Sequence, residues 1–231
     1  MDKLDSSPDR AGVLADSRRI VHAMRFWLPG LLLVTAAAAV FIDLAGDVWL
    51  REGFAWDAPL MLAVHSFAVS WLDVAMIGMT HLGTYGVGLA ALGVSLGLWR
   101  RRDKWTLYAL WLSVGGAIIV NLALKLIFAR PRPSVFPPLT VETSYSFPSG
   151  HTMAATALYG FLALLLWRQR RWLYGMLVAL LIPLVAFSRV YLGVHYPSDV
   201  LGALAVGILW LAFVWIVLVR FRQDVDSVQH R

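Results

Sequence analysis

The stretch SYSFPSGHTMAATALYGFLALLLW, residues 144–167, joins a polar turn to an apolar run long enough to enter a lipid bilayer. Pro148 disfavours helix before it, Ser149 suits the capping position of a helix, and Gly150 lets a ligand approach the backbone. The unpaired N–H groups and the positive end of the helix dipole then form an anion site. His151 lies in the first turn, either as an interfacial side chain or as half of an acid–base pair.

The composition indicates a membrane protein. Of the 231 residues, 59% are hydrophobic and 15% are charged, whereas soluble domains carry about 25% charged residues. Several apolar stretches exceed the roughly 18 residues that mark a bilayer-spanning helix. The absence of cysteine excludes disulfides, thiolate metal sites and a cysteine nucleophile.

We predict an all-α, polytopic membrane fold with six transmembrane helices, at about 26–46, 80–99, 105–128, 151–167, 172–190 and 199–219. Residues 26–220 then form one membrane domain between cytoplasmic tails at 1–25 and 221–231. The first apolar segment also resembles a signal peptide, because Thr35–Ala39 offers small residues for cleavage, but it is long enough to span.

The distribution of positive charge predicts the topology. Fifteen of the twenty lysines and arginines lie in the N-terminal tail, near residue 100, near residue 170 and at the C-terminus. The positive-inside rule puts these clusters in the cytoplasm, and this explains the basic character without a nucleic-acid partner. The segment Asp57–Met79 is largely apolar but broken by Asp73. If it spanned, the N-terminal cluster would lie opposite the others, so we predict an interfacial or re-entrant helix on the outer side.

Cations also gather at span ends on the outer side, where the charge bias disfavours them. These are Lys125, Arg130, Arg132 and Arg189. A charge near the bilayer centre costs about 2.5–3.5 kcal/mol on insertion scales. This arrangement therefore calls for an anionic partner.

The segment KLIFARPRP, residues 125–133, places Lys125 in the last turn of the third span. Pro133 keeps Arg132 extended, so the lysine and the arginine can approach one anion from two directions. Lys125 could instead be a cation that extends from the helix end towards the membrane surface. Arg130 is assigned to a lipid headgroup.

The segment SRVYLGVHYPSD, residues 188–199, ends the fifth span with Arg189 and starts the sixth near Pro197. His195 and Asp199 are about one helical turn apart and can form a hydrogen bond. A carboxylate on one imidazole nitrogen fixes the tautomer and leaves the other nitrogen as nucleophile or base. Asp199 could also be simply a helix N-terminal acid that the dipole favours.

The three segments together supply two histidines, an aspartate, three cations and a helix N-terminus. These are the components that phosphoryl transfer requires without a metal. Their spacing resembles the signature of the type 2 phosphatidic acid phosphatase superfamily. The matching positions are Lys125, Arg132-Pro133, Pro148-Ser149-Gly150-His151, Ser188-Arg189, His195 and Asp199.

The resemblance implies a role for each residue. His195 would form a phosphohistidine, Asp199 would orient it, and His151 would protonate the leaving oxygen and later help to activate water. The resemblance also implies a set of groups that hold the phosphoryl oxygens, namely Lys125, Arg132, Ser149, Gly150 and Arg189. It further implies that no metal or cofactor is needed and that vanadate inhibits.

A site at the outer membrane–water interface suits a lipid phosphate substrate. Phosphatidic acid, phosphatidylglycerol phosphate and undecaprenyl pyrophosphate remain open as substrates, and the short outer loops are similar to those of bacterial plasma-membrane members. No obligate protein partner is inferred. The alternative is an anion or lipid transporter that binds without hydrolysis, but the charges lie at span ends rather than at a broken helix pair in mid-membrane.

Overall fold

The computed structural model describes residues 10–229 and, of these, the side chains of residues 28–222. All regular structure in this part of the chain is helical, which confirms the all-α prediction. The helices are α1 Arg10–Trp49, α2 Asp57–His65, α3 Ser70–His81, α4 Tyr85–Arg100, α5 Lys104–Phe128, α6 Gly150–Arg168, α7 Trp172–Ala179, α8 Leu181–Tyr191 and α9 Pro197–Gln229.

The chain divides into two units, Met1–Ala36 and Ala37–Arg231. The first unit contains the beginning of α1, and the second contains all the other helices. Helix α1 begins within the predicted tail 1–25, and α9 ends within the predicted tail 221–231. Residues 1–9 and 230–231 lie outside the described part, and the cytoplasmic location of both tails stays a prediction.

Five helical segments are long and apolar enough to cross a membrane, and they agree with five of the predicted spans. They are Leu28–Trp49, Lys104–Phe128, Gly150–Arg168, Trp172–Tyr191 and Pro197–Arg222. Helices α3 and α4 together form a sixth if the bend of 41° between them is counted within one span. This span therefore begins at Ser70, ten residues before the predicted start.

The segment predicted as one helix over Asp57–Met79 is divided between two. Helix α2 ends at His65, and α3 begins after Val69, whose extended backbone breaks the helical path. The carboxylate of Asp73 accepts a hydrogen bond of 2.7 Å from the Tyr191 hydroxyl. A hydrogen bond from α8 thus stabilises the Asp73 carboxylate, whose charge made this segment ambiguous in the sequence.

Helix α6 lies at the centre of the second unit and packs against α4, α5, α7, α8 and α9. Its side chains are buried around most of its circumference, including Met153, Ala157 and Phe161. A helix that is apolar on all sides is expected in such a central position. The apolar run that follows His151 in the sequence therefore forms the core of the bundle.

The start of α6 is held by a buried aromatic side chain. Phe147 is fully buried, stacks at 6.2 Å on Phe41 and meets Phe128 edge-on at 5.1 Å. Gly202 of α9 lies directly against the Phe147 ring, because a Cβ atom there would be only 2.4 Å from Phe147 Cε2. This contact fixes the turn that presents Ser149, Gly150 and His151.

Replacing Gly202 with Ala should therefore destabilise the protein. Overpacking of a well-filled core costs about 1–3 kcal/mol, and the Phe147 ring has little room to move. The matched control is Gly88→Ala on α4, where an added Cβ meets open space among the described residues. Thermal unfolding in detergent measures the difference, and equal midpoints for the two variants would contradict this account of the turn.

Candidate active site

The ends of four helices bring the three sequence segments together. Lys125 is buried in the last turn of α5, and its amine donates a hydrogen bond to the backbone oxygen of Tyr145. Its side chain thus turns into the protein. At the start of α6, a Cβ on Gly150 would lie 3.0 Å from Asn121 Oδ1 and 3.9 Å from Lys125 Cε. The first and second segments are therefore in contact.

His195 lies in the loop between α8 and α9 and is almost fully buried. Its Nδ1 atom is 3.4 Å from Asp199 Oδ2 and 3.4 Å from the Ser146 hydroxyl. Its Nε2 atom is 3.4 Å from Arg132 Nη1. With the proton on Nδ1, the Nε2 lone pair faces the cations.

Burial lowers the pKa of His195 to about 4, because desolvation penalises the imidazolium more than the nearby Asp199 carboxylate stabilises it. The imidazole is therefore neutral at neutral pH. A neutral ring with one nitrogen directed to a carboxylate keeps a lone pair on the other nitrogen, as a nucleophile requires.

Arg132 is held in place by the backbone of two loops. Its Nε donates 2.7 Å to the Ser144 oxygen and its Nη1 donates 2.7 Å to the Val194 oxygen. Burial lowers the pKa of this guanidinium from its usual value. These contacts keep a cation next to His195 Nε2.

A carboxylate that sequence reasoning missed lies among the predicted anion-binding groups. Glu142 forms an ion pair with Arg189 Nη2, its Oε2 is 3.7 Å from Arg132 Nη2, and its Oε1 is 4.0 Å from His151 Nδ1. The three partners come from the three sequence segments. Glu142 is also the one acidic residue in 129–149, a signal that could have identified it.

Ser149 occupies the N-cap position of α6, as predicted, but its hydroxyl accepts a hydrogen bond of 3.0 Å from the Thr152 hydroxyl. Its backbone N–H donates a hydrogen bond of 3.2 Å to the backbone oxygen of Asp199. This bond connects the start of α6 to the first turn of α9, so the second and third segments are in contact.

The assignment of Arg130 to a lipid headgroup is wrong. Arg130 is largely buried, with Nη1 2.5 Å from Asp199 Oδ1 and Nη2 3.0 Å from Asp57 Oδ2. Its guanidinium also lies 4.3 Å from the centre of the Tyr196 ring. Arg130 therefore fixes the side of Asp199 that faces away from His195.

Asp57 completes this network from the first turn of α2. It accepts a hydrogen bond of 2.9 Å from the Ser198 backbone N–H and another from the Ser198 hydroxyl. It thus satisfies a free donor at the N-terminus of α9 and pairs with Arg130. Its only sequence signal is an acid at the start of an otherwise apolar segment.

A cavity of about 430 Å³ leads from the apolar helices to the charged cluster. Its far wall is formed by Val87 and Ala91 of α4 and by Val114 and Ile118 of α5. Its other end is lined by Lys125, Glu142, Gly150 and His151. The cavity thus joins an apolar compartment to polar groups.

Within residues whose positions are described, no group of three or more histidine and carboxylate side chains is spaced to hold a metal ion. Independence from metal stays a prediction, which turnover in the presence of a chelator tests.

Comparison with known proteins identifies relatives of this arrangement. The PAP2 superfamily matches residues 105–223. Phosphatidylglycerophosphatase B of Bacillus subtilis is 36% identical over 73% of this chain and 86% of its own length. Undecaprenyl-diphosphatase of Sulfolobus acidocaldarius is 28% identical over 82% of this chain and 88% of its own length. The crystal structure of a transmembrane PAP2 type phosphatidylglycerolphosphate phosphatase from Bacillus subtilis superposes with a TM-score of 0.72 and 28% identity, covering 83% of this chain and 96% of that one.

Replacing Asp57 with Asn should destabilise the protein, because Arg130 loses one of its two carboxylates in a buried site. Removing one partner of a buried ion pair costs about 3 kcal/mol or more. The matched control is Asp43→Asn, an exposed position on α1. Unfolding midpoints in detergent compare the two variants, and a midpoint for Asp57→Asn equal to that of the control would show that Asp57 does not stabilise this network.

Proposed function

We propose, since this chain belongs to the PAP2 superfamily, that it removes phosphate from a membrane lipid through a covalent bond to His195. The chain is an integral membrane hydrolase, and its relatives carry the names of lipid phosphatases. The identity of the nucleophile, the set of phosphate ligands and the lipid are parts of this proposal.

The observation that carries the proposal is the asymmetry around His195. One ring nitrogen lies next to the buried carboxylate of Asp199, and the other lies next to the partly buried guanidinium of Arg132. A phosphoryl group held by Arg132 would therefore meet the lone pair of Nε2, while Asp199 stabilises the positive charge that forms on the ring.

The reaction then proceeds in two steps. In the first, Nε2 attacks phosphorus, the bond to the lipid oxygen breaks, and His151 donates a proton to that oxygen. In the second, His151 accepts a proton from water, the water oxygen bonds to phosphorus, and the P–N bond returns its electron pair to Nε2. The products are inorganic phosphate and the lipid with one phosphate fewer, an alcohol from a monoester and a monophosphate from a diphosphate.

The cations and the start of α6 would stabilise the transferred group. Negative charge lies on the three equatorial oxygens during phosphoryl transfer, and fixed donors there contribute most of the catalysis. We assign this task to the groups predicted from the sequence, namely Lys125, Arg132, Ser149, the Gly150 N–H and Arg189.

The apolar cavity supports a lipid substrate. A phosphate at Lys125 and His151 would have its acyl or prenyl chain beside Val87, Val114 and Ile118, within the spanning helices. Phosphatidylglycerol phosphate and undecaprenyl diphosphate are the leading substrates, with phosphatidic acid as a third. The positive-inside pattern supports a location in a bacterial plasma membrane with the site on the extracytoplasmic face.

Turnover of a panel of purified lipids tests the proposal directly. In detergent with EDTA, the protein should release phosphate from at least one of the three lipids, and orthovanadate should inhibit. Failure to release phosphate from any of them would refute the assignment and leave the transporter alternative.

His195→Ala should abolish this turnover, because the proposed mechanism then lacks its nucleophile. The matched control, His81→Ala, removes an exposed imidazole at the end of α3 and should retain full activity. Brief reaction with ³²P-labelled lipid followed by alkaline quench should trap an acid-labile phosphoprotein in the control alone. Wild-type turnover by His195→Ala would remove the proposed nucleophile.

His151→Ala should slow substrates with a poor leaving group the most. General acid help contributes about 10²–10⁴-fold when the leaving oxygen is a basic alkoxide, and much less when it is already a stable anion. Phosphatidic acid should thus lose far more activity than p-nitrophenyl phosphate, and undecaprenyl diphosphate should fall between them. The comparison uses the rate of leaving-group release in the first turnover, before the common second step, and equal losses on all three at that stage would contradict the acid role.

A further inference from the structure

The position of Glu142 raises a physical problem for the site. Its carboxylate lies where the phosphoryl oxygens must go, since it contacts Arg189, Arg132 and His151. A phosphate ligand cannot use these groups while the carboxylate occupies them. The side chain must therefore leave before a phosphoryl group binds.

Two further observations indicate that Glu142 leaves some of the hydrogen-bond donors of the site without a partner. Arg189 is fully buried, yet its Nε atom lacks a hydrogen-bond partner among the described residues. The ionised carboxylate has two oxygens, whereas a phosphoryl group presents three, enough to satisfy one more donor. Burial raises the pKa of Glu142, but Arg189, His151 and Arg132 together lower it below its ordinary value, so the occupant is an anion at neutral pH.

The backbone around Glu142 can release it. Residues 140–145 have no regular structure and lie between two backbone hydrogen bonds, from Leu139 N to Leu192 O at 3.0 Å and from Ser146 N to Arg130 O at 2.9 Å. Val141, next to Glu142, is 92% exposed. An outward turn of Glu142 would thus break no helix, while Ser144 and Tyr145 could stay bound to Arg132 and Lys125.

We propose that Glu142 is an internal competitor that occupies the phosphoryl site between turnovers and is displaced by each phosphoryl group that binds. This inference rests on the proposed function, since it concerns the same site. A tethered carboxylate acts at a high effective concentration. It weakens the apparent binding of every anion by the same factor, because each ligand must displace the same group.

The consequence is a minimum affinity that an anion must have in order to occupy the site. Ordinary membrane phospholipids are phosphodiesters with one phosphate charge, and they greatly outnumber any phosphomonoester or diphosphate. A uniform loss of affinity leaves such weak ligands, and the product phosphate, largely unbound at their ambient concentrations. Lipid phosphomonoesters and diphosphates, which carry more charge, still bind.

Calorimetric binding of inorganic phosphate and of sulfate to the purified protein tests this inference. Glu142→Gln should tighten both anions by the same factor, about tenfold or more. Glu142→Asp retains the charge on a shorter side chain and should tighten both less. The matched control, Glu52→Gln, changes an exposed carboxylate between α1 and α2 and should leave both affinities unchanged.

Kinetics of the same variants supply a second readout. The KM of Glu142→Gln should fall by the factor seen in binding, with kcat unchanged or reduced by slower phosphate release. Unchanged or weaker anion binding, or different factors for phosphate and sulfate, would overturn the inference. Anion binding requires no turnover. If Glu142→Gln tightens phosphate and sulfate equally but the protein hydrolyses no lipid, only the proposed function is refuted. If the enzyme is active but Glu142→Gln does not tighten both anions equally, only the competitor role of Glu142 is refuted.

Discussion

The structure depends on carboxylates that lie between buried cations. Taking a guanidinium out of water costs several kcal/mol unless an opposite charge and hydrogen bonds replace the solvent. Arg189 is 1% exposed at the end of α8, and Glu142 provides its neutralising charge. Arg130 is neutralised in the same way by Asp57 and Asp199. These acids stabilise the loops that carry the cations where they pack over the ends of apolar helices.

Asp199 links this charge balance to the chemistry. A carboxylate has about four sites that accept hydrogen bonds, and Asp199 faces His195, Arg130, the Ser146 hydroxyl and the Tyr196 N–H. Its orientation is therefore fixed from all sides, which in turn fixes the tautomer of His195. Asp199 contributes to stability through Arg130 and, in the proposed mechanism, to reactivity through His195. A change at Asp57, which contacts Arg130 but not His195, therefore tests stability with less effect on reactivity than a change at Asp199.

Local signals in the sequence predicted much of this arrangement, because hydropathy, helix-ending prolines and charge bias act over short distances. They predicted five of the spans and placed Lys125 in the last turn of α5 and His151 in the first turn of α6. Pairing across the fold was not predictable: Asp57 and Arg130 are 73 residues apart, and nothing local indicates that they touch. The same limit applies to residues 57–79. The charge of Asp73 argued against a span there, and its partner Tyr191 is 118 residues away in the sequence.

The two compartments of the site differ in what they can distinguish. The wall of the cavity is apolar, so it recognises a hydrocarbon chain by area rather than by direction. Under the proposed function, the charged cluster would contact only phosphoryl oxygens, which are the same in a monoester and in the terminal group of a diphosphate. Neither compartment specifies one lipid, and this arrangement favours breadth of substrate. Discrimination against the bulk lipids must then come from the strength of anion binding. In the proposed mechanism, Arg132, Arg189 and His151 would set that strength together, and the carboxylate of Glu142, which contacts all three, would oppose it.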